Sequence, residues 1–285
     1  MSAGNQRQPD ELLSALAEAI KPLGKIAVAS SGGVDSTVLL VAAAHILGPD
    51  QVLAVTALAP MVPLDDQADA SRLSDLAGVR HLVARLPESI LDLPPFAENP
   101  PDRCYHCKKI IFDALLALAR GAGFKVLCDG TNRDDLKDYR PGLRALQEMK
   151  VVSPLAEAGF TKAEVRTLAA LLCPDVAAKP AMACLATRIP THTPVTLAAM
   201  ARIDKAESLL RQKGLDQVRV RDHAGLARVE LDPAVLERGL APELIALLRD
   251  SLNEAGFDFA TLDLQGYRSG SMNPAAKPTG QEETP

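Results

Sequence analysis

Three sets of residues in this chain have the types and spacing to do chemistry. The first is 30-SSGGVDS-36, which follows the apolar run 26-IAVA-29. A glycine-rich turn from a strand into a helix gathers backbone N–H groups at the positive end of the helix dipole, so it suits an anion, above all a phosphate. Gly32 and Gly33 permit positive φ and close approach, and Ser30, Ser31 and Ser36 add hydroxyl donors. Asp35 has the wrong charge for phosphate and needs a cation, such as the Mg²⁺ that accompanies a nucleoside triphosphate.

The second set is thiols. Cys104 and Cys107 form a CxxC in 99-NPPDRCYHCKK-109, and Cys184 lies in 179-KPAMACLATRIP-190 with Lys179 before it and Arg188 after it. Nearby cations lower a thiol pKa and favour the thiolate that attacks or donates sulfur, whereas plain burial of the ACLA run is the reading weighed evenly against it. A lone CxxC is half a metal site or a redox pair, and no second CxxC completes a zinc ribbon. The third set is cationic. Arg219 and Arg221 alternate in 217-QVRVRDH-223 and share a strand face, where two guanidiniums can clamp one phosphate. Arg268 is a candidate third, and Glu207 and Glu230 are carboxylates that could orient these arginines or bind metal.

The elements that must position these groups are legible from periodicity. Apolar runs at 26–30, 52–58, 80–86 and 125–130 read as strands, and 36–47, 67–78 and 108–123 carry helical period. Their alternation predicts βαβ units and an α/β fold with a doubly wound parallel sheet. Asp129, Gly130, Thr131 and Asn132 then follow a strand at the sheet edge where ligands bind in such folds, with Asp134 and Asp135 as further Mg²⁺ candidates. Past residue 190 the pattern changes to a smaller C-terminal α+β domain, the boundary falling in 189-IPTHTPVT-196. The expected organisation is 1–190, 191–272 and a disordered tail at 273–285.

Composition narrows the partners. The 285 residues are 47% hydrophobic with a net charge of −5, so no global field draws nucleic acid or an anionic membrane. Aromatics are only 3% and Trp is absent, which argues against a stacking platform for single-stranded nucleic acid. The first residues read as an amphipathic helix rather than a signal peptide, and no apolar run reaches the roughly 20 residues of a membrane span. The expected location is the cytoplasm, where the five cysteines stay reduced. Cys128 and Cys173 are assigned to burial.

A Walker A lysine is missing after the glycines, as is a GxGxxG. The stretch SGGVDS instead resembles the SGGxDS signature of the PP-loop pyrophosphatases, which implies ATP cleavage between the α and β phosphates and adenylation of a substrate oxygen. Thr131 and Asn132 would then contact the nucleotide. Taken with NPPDRCYHCK, LCDGTNRDDLKDYRPGLRAL, SPLAEAGFTKAEVR, KPAMACLATRIP and GYRSGSMN, the chain resembles the LarE family of ATP-dependent sulfur transferases over about residues 20–273.

That resemblance implies a small-molecule substrate, pyridinium-3,5-biscarboxylic acid mononucleotide, on the route to the nickel-pincer nucleotide cofactor of lactate racemase. It also implies a homo-oligomer. Cys184 matches the cysteine that gives up its sulfur and becomes dehydroalanine, so that the protein is consumed. The CxxC keeps an alternative open, in which Cys104, Cys107 and Cys184 hold a [4Fe–4S] cluster that carries a renewable sulfide. A PP-loop tRNA thiolase and an ammonia-dependent ligase are the other readings.

Overall fold

The computed structural model describes residues 7–137, 141–179, 183–268 and 272. The expected disordered tail at 273–285 lies outside the described residues, as do 138–140, 180–182 and 269–271 within three of the quoted motifs.

Four parallel strands form the main sheet: β1 (Ile26–Ala29), β2 (Val52–Leu58), β3 (Arg80–Arg85) and β4 (Val126–Cys128), in the spatial order β3-β2-β1-β4. Each of these four strands read from the sequence is present, β2 with the same bounds and the others trimmed by a residue or two at one or both ends. The alternation of side chains sorts β1 onto two cores. Ile26 and Val28 face the helices Pro9–Ile20, Val34–Leu47 and Lys162–Leu172, whereas Ala27 faces the helices Arg103–Gly121 and Pro141–Glu148. Helices thus cover both faces, which is why IAVA and VLAV carry no polar residue. The chain runs outward from β1 through β2 to β3 and then returns to β4 on the other side of β1. That reversal opens a crevice at the C-terminal ends of β1 and β4.

A second, mixed sheet follows, with β5 (Val218–His223) antiparallel to β6 (Leu226–Leu231) and β6 parallel to β7 (Phe259–Leu262). Ala224 and Gly225 both take positive φ, 55° and 95°, in the two-residue connection between β5 and β6, as the twist of a tight hairpin requires. The helices Leu197–Gln212 and Pro242–Ala255 pack on this sheet. The core beneath them also takes in Met61, Ile90, Leu91 and Phe96 from the earlier part of the chain. Hydrogen bonds join the same segments: Leu185 N–H donates to the Met61 carbonyl (2.9 Å), and Val195 N–H to that of Phe96 (3.0 Å). The turn carrying Cys184 is therefore held at the edge of the main sheet.

Candidate active site

The glycine turn closes on itself before it can close on a ligand. Gly32 has φ 76°, in the region that glycine enters without cost, whereas Gly33 has φ −84° and begins the Val34–Leu47 helix as its cap residue. Only Gly32 therefore uses the freedom expected of both. Having no side chain, Gly33 leaves the first helical N–H groups uncapped and available to an anion. The Ser31 and Ser36 hydroxyls lie 3.1 Å apart, and Ser36 Oγ accepts from Ser31 N–H (3.2 Å), so these two serines brace the turn. Ser30 is different: it is buried, and its Oγ has no hydrogen-bond partner. A buried hydroxyl without a partner points to a ligand or an ordered water.

At the end of β4, Gly130 lets two backbones meet. A Cβ placed there would lie 2.7 Å from Ser36 N and 2.9 Å from the carbonyl carbon of Asp35. Beside it, buried Asp129 accepts from the hydroxyls of Thr131 (2.5 Å) and Ser153 (2.6 Å). Asn132 Nδ2 donates to Asp35 Oδ1 (3.1 Å), and its backbone N–H donates to Asp135 (3.0 Å). Asp134 accepts from Lys162 N–H (2.9 Å), at the start of the Lys162–Leu172 helix. The Lys162 ammonium reaches over to form an ion pair with Asp35. Sequence reasoning had not singled out Lys162. The only local signal was the cap Thr161 with Glu164 three residues on, which marks a helix start but says nothing of what that start faces.

These residues line a cavity of about 630 Å³, within the range of roughly 300–1,000 Å³ typical of small-molecule sites. Its other walls include Ala57, Val62, Ile111, Phe112 and Leu115, an apolar slot beside the polar turn, together with the polar Thr56, Gln67 and Lys108. Cys184 lines the same cavity.

The surroundings of Cys184 differ from the expectation of a thiolate made acidic by its neighbours. Burial pushes its thiol pKa up, and this outweighs the opposing charges of Arg103 and Arg188. Lys179, expected beside the thiol, instead donates to the carbonyl of Gly32 (3.0 Å) and to Asp69 (2.5 Å), tying the approach to Cys184 onto the glycine turn. Arg103 was not anticipated. It opens the CxxC helix, is buried, and bonds to Asn99, whose Nδ2 donates to the carbonyls of Pro190 and Thr193 (2.8 Å each). Cys128 and Cys173 are buried as expected.

Cys104 and Cys184 both raise the pKa of Cys107, after burial, so the three thiols share one neighbourhood. Among the described residues, however, no three His, Cys, Asp or Glu side chains form a group that could hold a metal ion. The thiols suit an iron–sulfur cluster in kind but not in this arrangement. Mg²⁺ sets a weaker demand, since it is commonly held by one or two carboxylates together with substrate phosphates. Asp35, lining the cavity next to the uncapped helix start, meets that demand.

Arg219 and Arg221 do share a face of β5, but the face is buried rather than open. Arg221 pairs with Glu230 (2.6 Å) and donates to the Thr187 carbonyl (3.3 Å), and Arg219 lies over the Tyr267 ring at 5.3 Å. Burial, together with the nearby Arg188, lowers the Arg219 pKa from the ordinary guanidinium value. Glu207, buried as well, receives Arg188 on both oxygens (3.0 Å each) and the Val220 N–H (3.0 Å). Arg268 is exposed, 3.8 Å from Asp263. The structure thus brings the glycine turn, Asp129–Asn132 and Cys184 together. It sets the arginine face behind the Cys184 turn, reached through Arg188 and Thr187.

Sequence comparison bears on this arrangement. No family model matches the chain. A pyridinium-3,5-bisthiocarboxylic acid mononucleotide synthase from Lactiplantibacillus plantarum is 36% identical, over 90% of this chain and 92% of that protein. The chain belongs to the LarE family. Two uncharacterized proteins are also similar to this LarE chain. One from Synechocystis sp. is 38% identical over 88% of this chain and 92% of its own length. The other, from Methanocaldococcus jannaschii, is 28% identical over 86% and 91%. The four-stranded parallel sheet with a smaller mixed sheet matches the architecture expected of a LarE protein. Among the described residues of this one, no helix is long and apolar enough to cross a membrane.

Proposed function

We propose that the protein is an ATP-dependent sulfur transferase that adenylates a carboxylate of pyridinium-3,5-biscarboxylic acid mononucleotide and replaces its oxygen with sulfur from Cys184. The reading covers residues 1–190 as the ATP-cleaving unit and 191–272 as the substrate and sulfur-transfer unit, in a cytoplasmic homo-oligomer. The observation that carries it is that Cys184 and the SGGVDS turn line one cavity.

The phosphates of ATP lie on the uncapped N–H groups after Gly33 and on Ser30 Oγ, with the base in the slot between Ala57 and Phe112. Asp35, together with the phosphates, would hold Mg²⁺, which would supply neutralisation of charge on the pyrophosphate leaving group. The substrate carboxylate attacks the α-phosphorus, giving an acyl-adenylate and pyrophosphate. Cys184 loses its thiol proton, helped by Arg103 and Arg188, and its sulfur attacks the acyl carbon so that AMP departs. Loss of the Cys184 Cα proton then breaks the Cβ–S bond, and the sulfur leaves with both bonding electrons as the thiocarboxylate. Dehydroalanine remains on the protein. Arg219, Arg221 and Arg268 are assigned to the substrate phosphate, a role that requires the buried face of β5 to open; Glu230 holds Arg221 and Glu207 holds Arg188.

The test is intact-mass spectrometry after incubation with ATP, Mg²⁺ and the mononucleotide. A loss equal to H₂S that maps to Cys184, with AMP and pyrophosphate formed, is expected. ATP-dependent sulfur incorporation into tRNA, or ammonia-dependent amide formation that survives Cys184→Ala, would replace this reading. A second reading keeps the reaction but carries the sulfur on a [4Fe–4S] cluster held by Cys104, Cys107 and Cys184. The three thiols share a neighbourhood, but they would have to draw closer than they stand in this structure to hold the cluster. Sustained turnover at unchanged protein mass in an anaerobic, iron-loaded preparation would select it.

A further inference from the structure

Asp35 stands where the triphosphate and its metal are placed, yet its carboxylate is already paired with a cation of the chain. Lys162, 127 residues away in sequence, pairs with Asp35 Oδ2, while Asn132 Nδ2 occupies the other oxygen at 3.1 Å. The lysine is anchored through its backbone, because its N–H donates to Asp134 Oδ2 at 2.9 Å and its residue begins a helix capped by Thr161. Its ammonium ends a flexible four-carbon stem that lines the cavity. A divalent cation and an ammonium on the same carboxylate oxygen would repel each other at contact distance, so the two compete for Asp35.

We infer that Lys162 and a divalent cation are alternative partners of Asp35, and that metal arriving with the nucleotide releases the Lys162 ammonium onto the phosphates being cleaved. The inference rests on the ATP reading above. Lys162 is then a catalytic residue with two positions. On Asp35 it keeps the carboxylate neutralised and discourages metal binding without nucleotide. On the phosphates it stabilises charge as the bond between the α and β phosphates breaks. Unpartnered Ser30 Oγ, 3% exposed on the same wall, is an independent sign that a polar ligand belongs there. The exchange involves no covalent step and needs no further reactant.

The test uses the full chain, with Mn²⁺ alone as probe and no nucleotide, followed by water-proton relaxation. Lys162→Met and Lys162→Gln are both measured, so that a folding defect in one leaves the other. Loss of the competing ammonium should tighten Mn²⁺ binding by about tenfold or more, and adding Asp35→Asn should abolish that gain. In the same variants, pyrophosphate release should fall by about 10²–10³-fold. Wild-type Mn²⁺ affinity in both Lys162 variants, with ATP binding intact, would overturn the inference and leave the ATP reading standing. Failure of the wild-type protein to bind ATP would instead remove the ATP reading itself.

Discussion

Arg188 and Glu207 form a two-pronged buried ion pair, Nε to Oε1 and Nη2 to Oε2, both 3.0 Å, and the same guanidinium donates to the carbonyls of Ala183 (2.7 Å) and Cys184 (3.1 Å). One side chain thus joins the sulfur-bearing turn to the Leu197–Gln212 helix. Glu207→Gln leaves the arginine without its countercharge, and breaking a buried pair in this way costs about 3–5 kcal/mol. Urea denaturation should show that loss. Cys184 should also label faster with a thiol reagent, because its turn has lost an anchor.

The contact of Gly130 with the turn predicts a local defect. In Gly130→Ala the methyl meets backbone atoms of Asp35 and Ser36 at under 3.0 Å, where no flexible side chain can give way. Such overpacking costs about 1–3 kcal/mol and should raise the KM for ATP. Gly121→Ala, at the end of the CxxC helix with nothing within 4 Å of its added carbon, is the matched control. It should melt within a degree or two of wild type or above it.

The reactivity of Cys184 should be displaced to alkaline pH. Burial raises its pKa, so the thiol holds its proton at a pH where an exposed cysteine has lost it, and alkylation should keep rising above the ordinary midpoint of 9.0. Arg103→Met removes a charge that favours the thiolate, so its profile should move further up. A wild-type midpoint below 9.0 would show that burial is not the controlling effect.

Glu164 links acid stability to the helix that carries Lys162. The Arg7 guanidinium, bonded to Glu164 at 2.8 and 3.1 Å, holds its carboxyl at about 2, against an ordinary value of 4.5. A lowered folded-state pKa contributes stability above the unfolded value, and that contribution is lost as pH falls from 4.5 towards 2. Glu164→Gln, which keeps the cap contacts to Thr161 but not the charge, should flatten the acid limb of the melting curve between those limits. An unchanged limb would place the acid sensitivity elsewhere.

Periodicity and turn chemistry alone made the parallel sheet legible and marked SSGGVDS as the turn from β1 into a helix. These depend on residues a few positions apart, and their signals survive without knowledge of the chain path. The motifs also named the thiols and the arginine pair. Only the tertiary structure decided which charges meet. It put Lys162 on Asp35 and Arg103 beside Cys184, and sent Lys179 to Gly32 and Asp69 instead of the thiol. It also turned the face of Arg219 and Arg221 inward onto Glu230 and Tyr267. Such pairings join residues up to more than a hundred positions apart, so no local pattern encodes them. The pKa of Cys184 was undecided for a related reason: its neighbours in sequence supply charge, but burial is a property of the folded whole, and here burial wins.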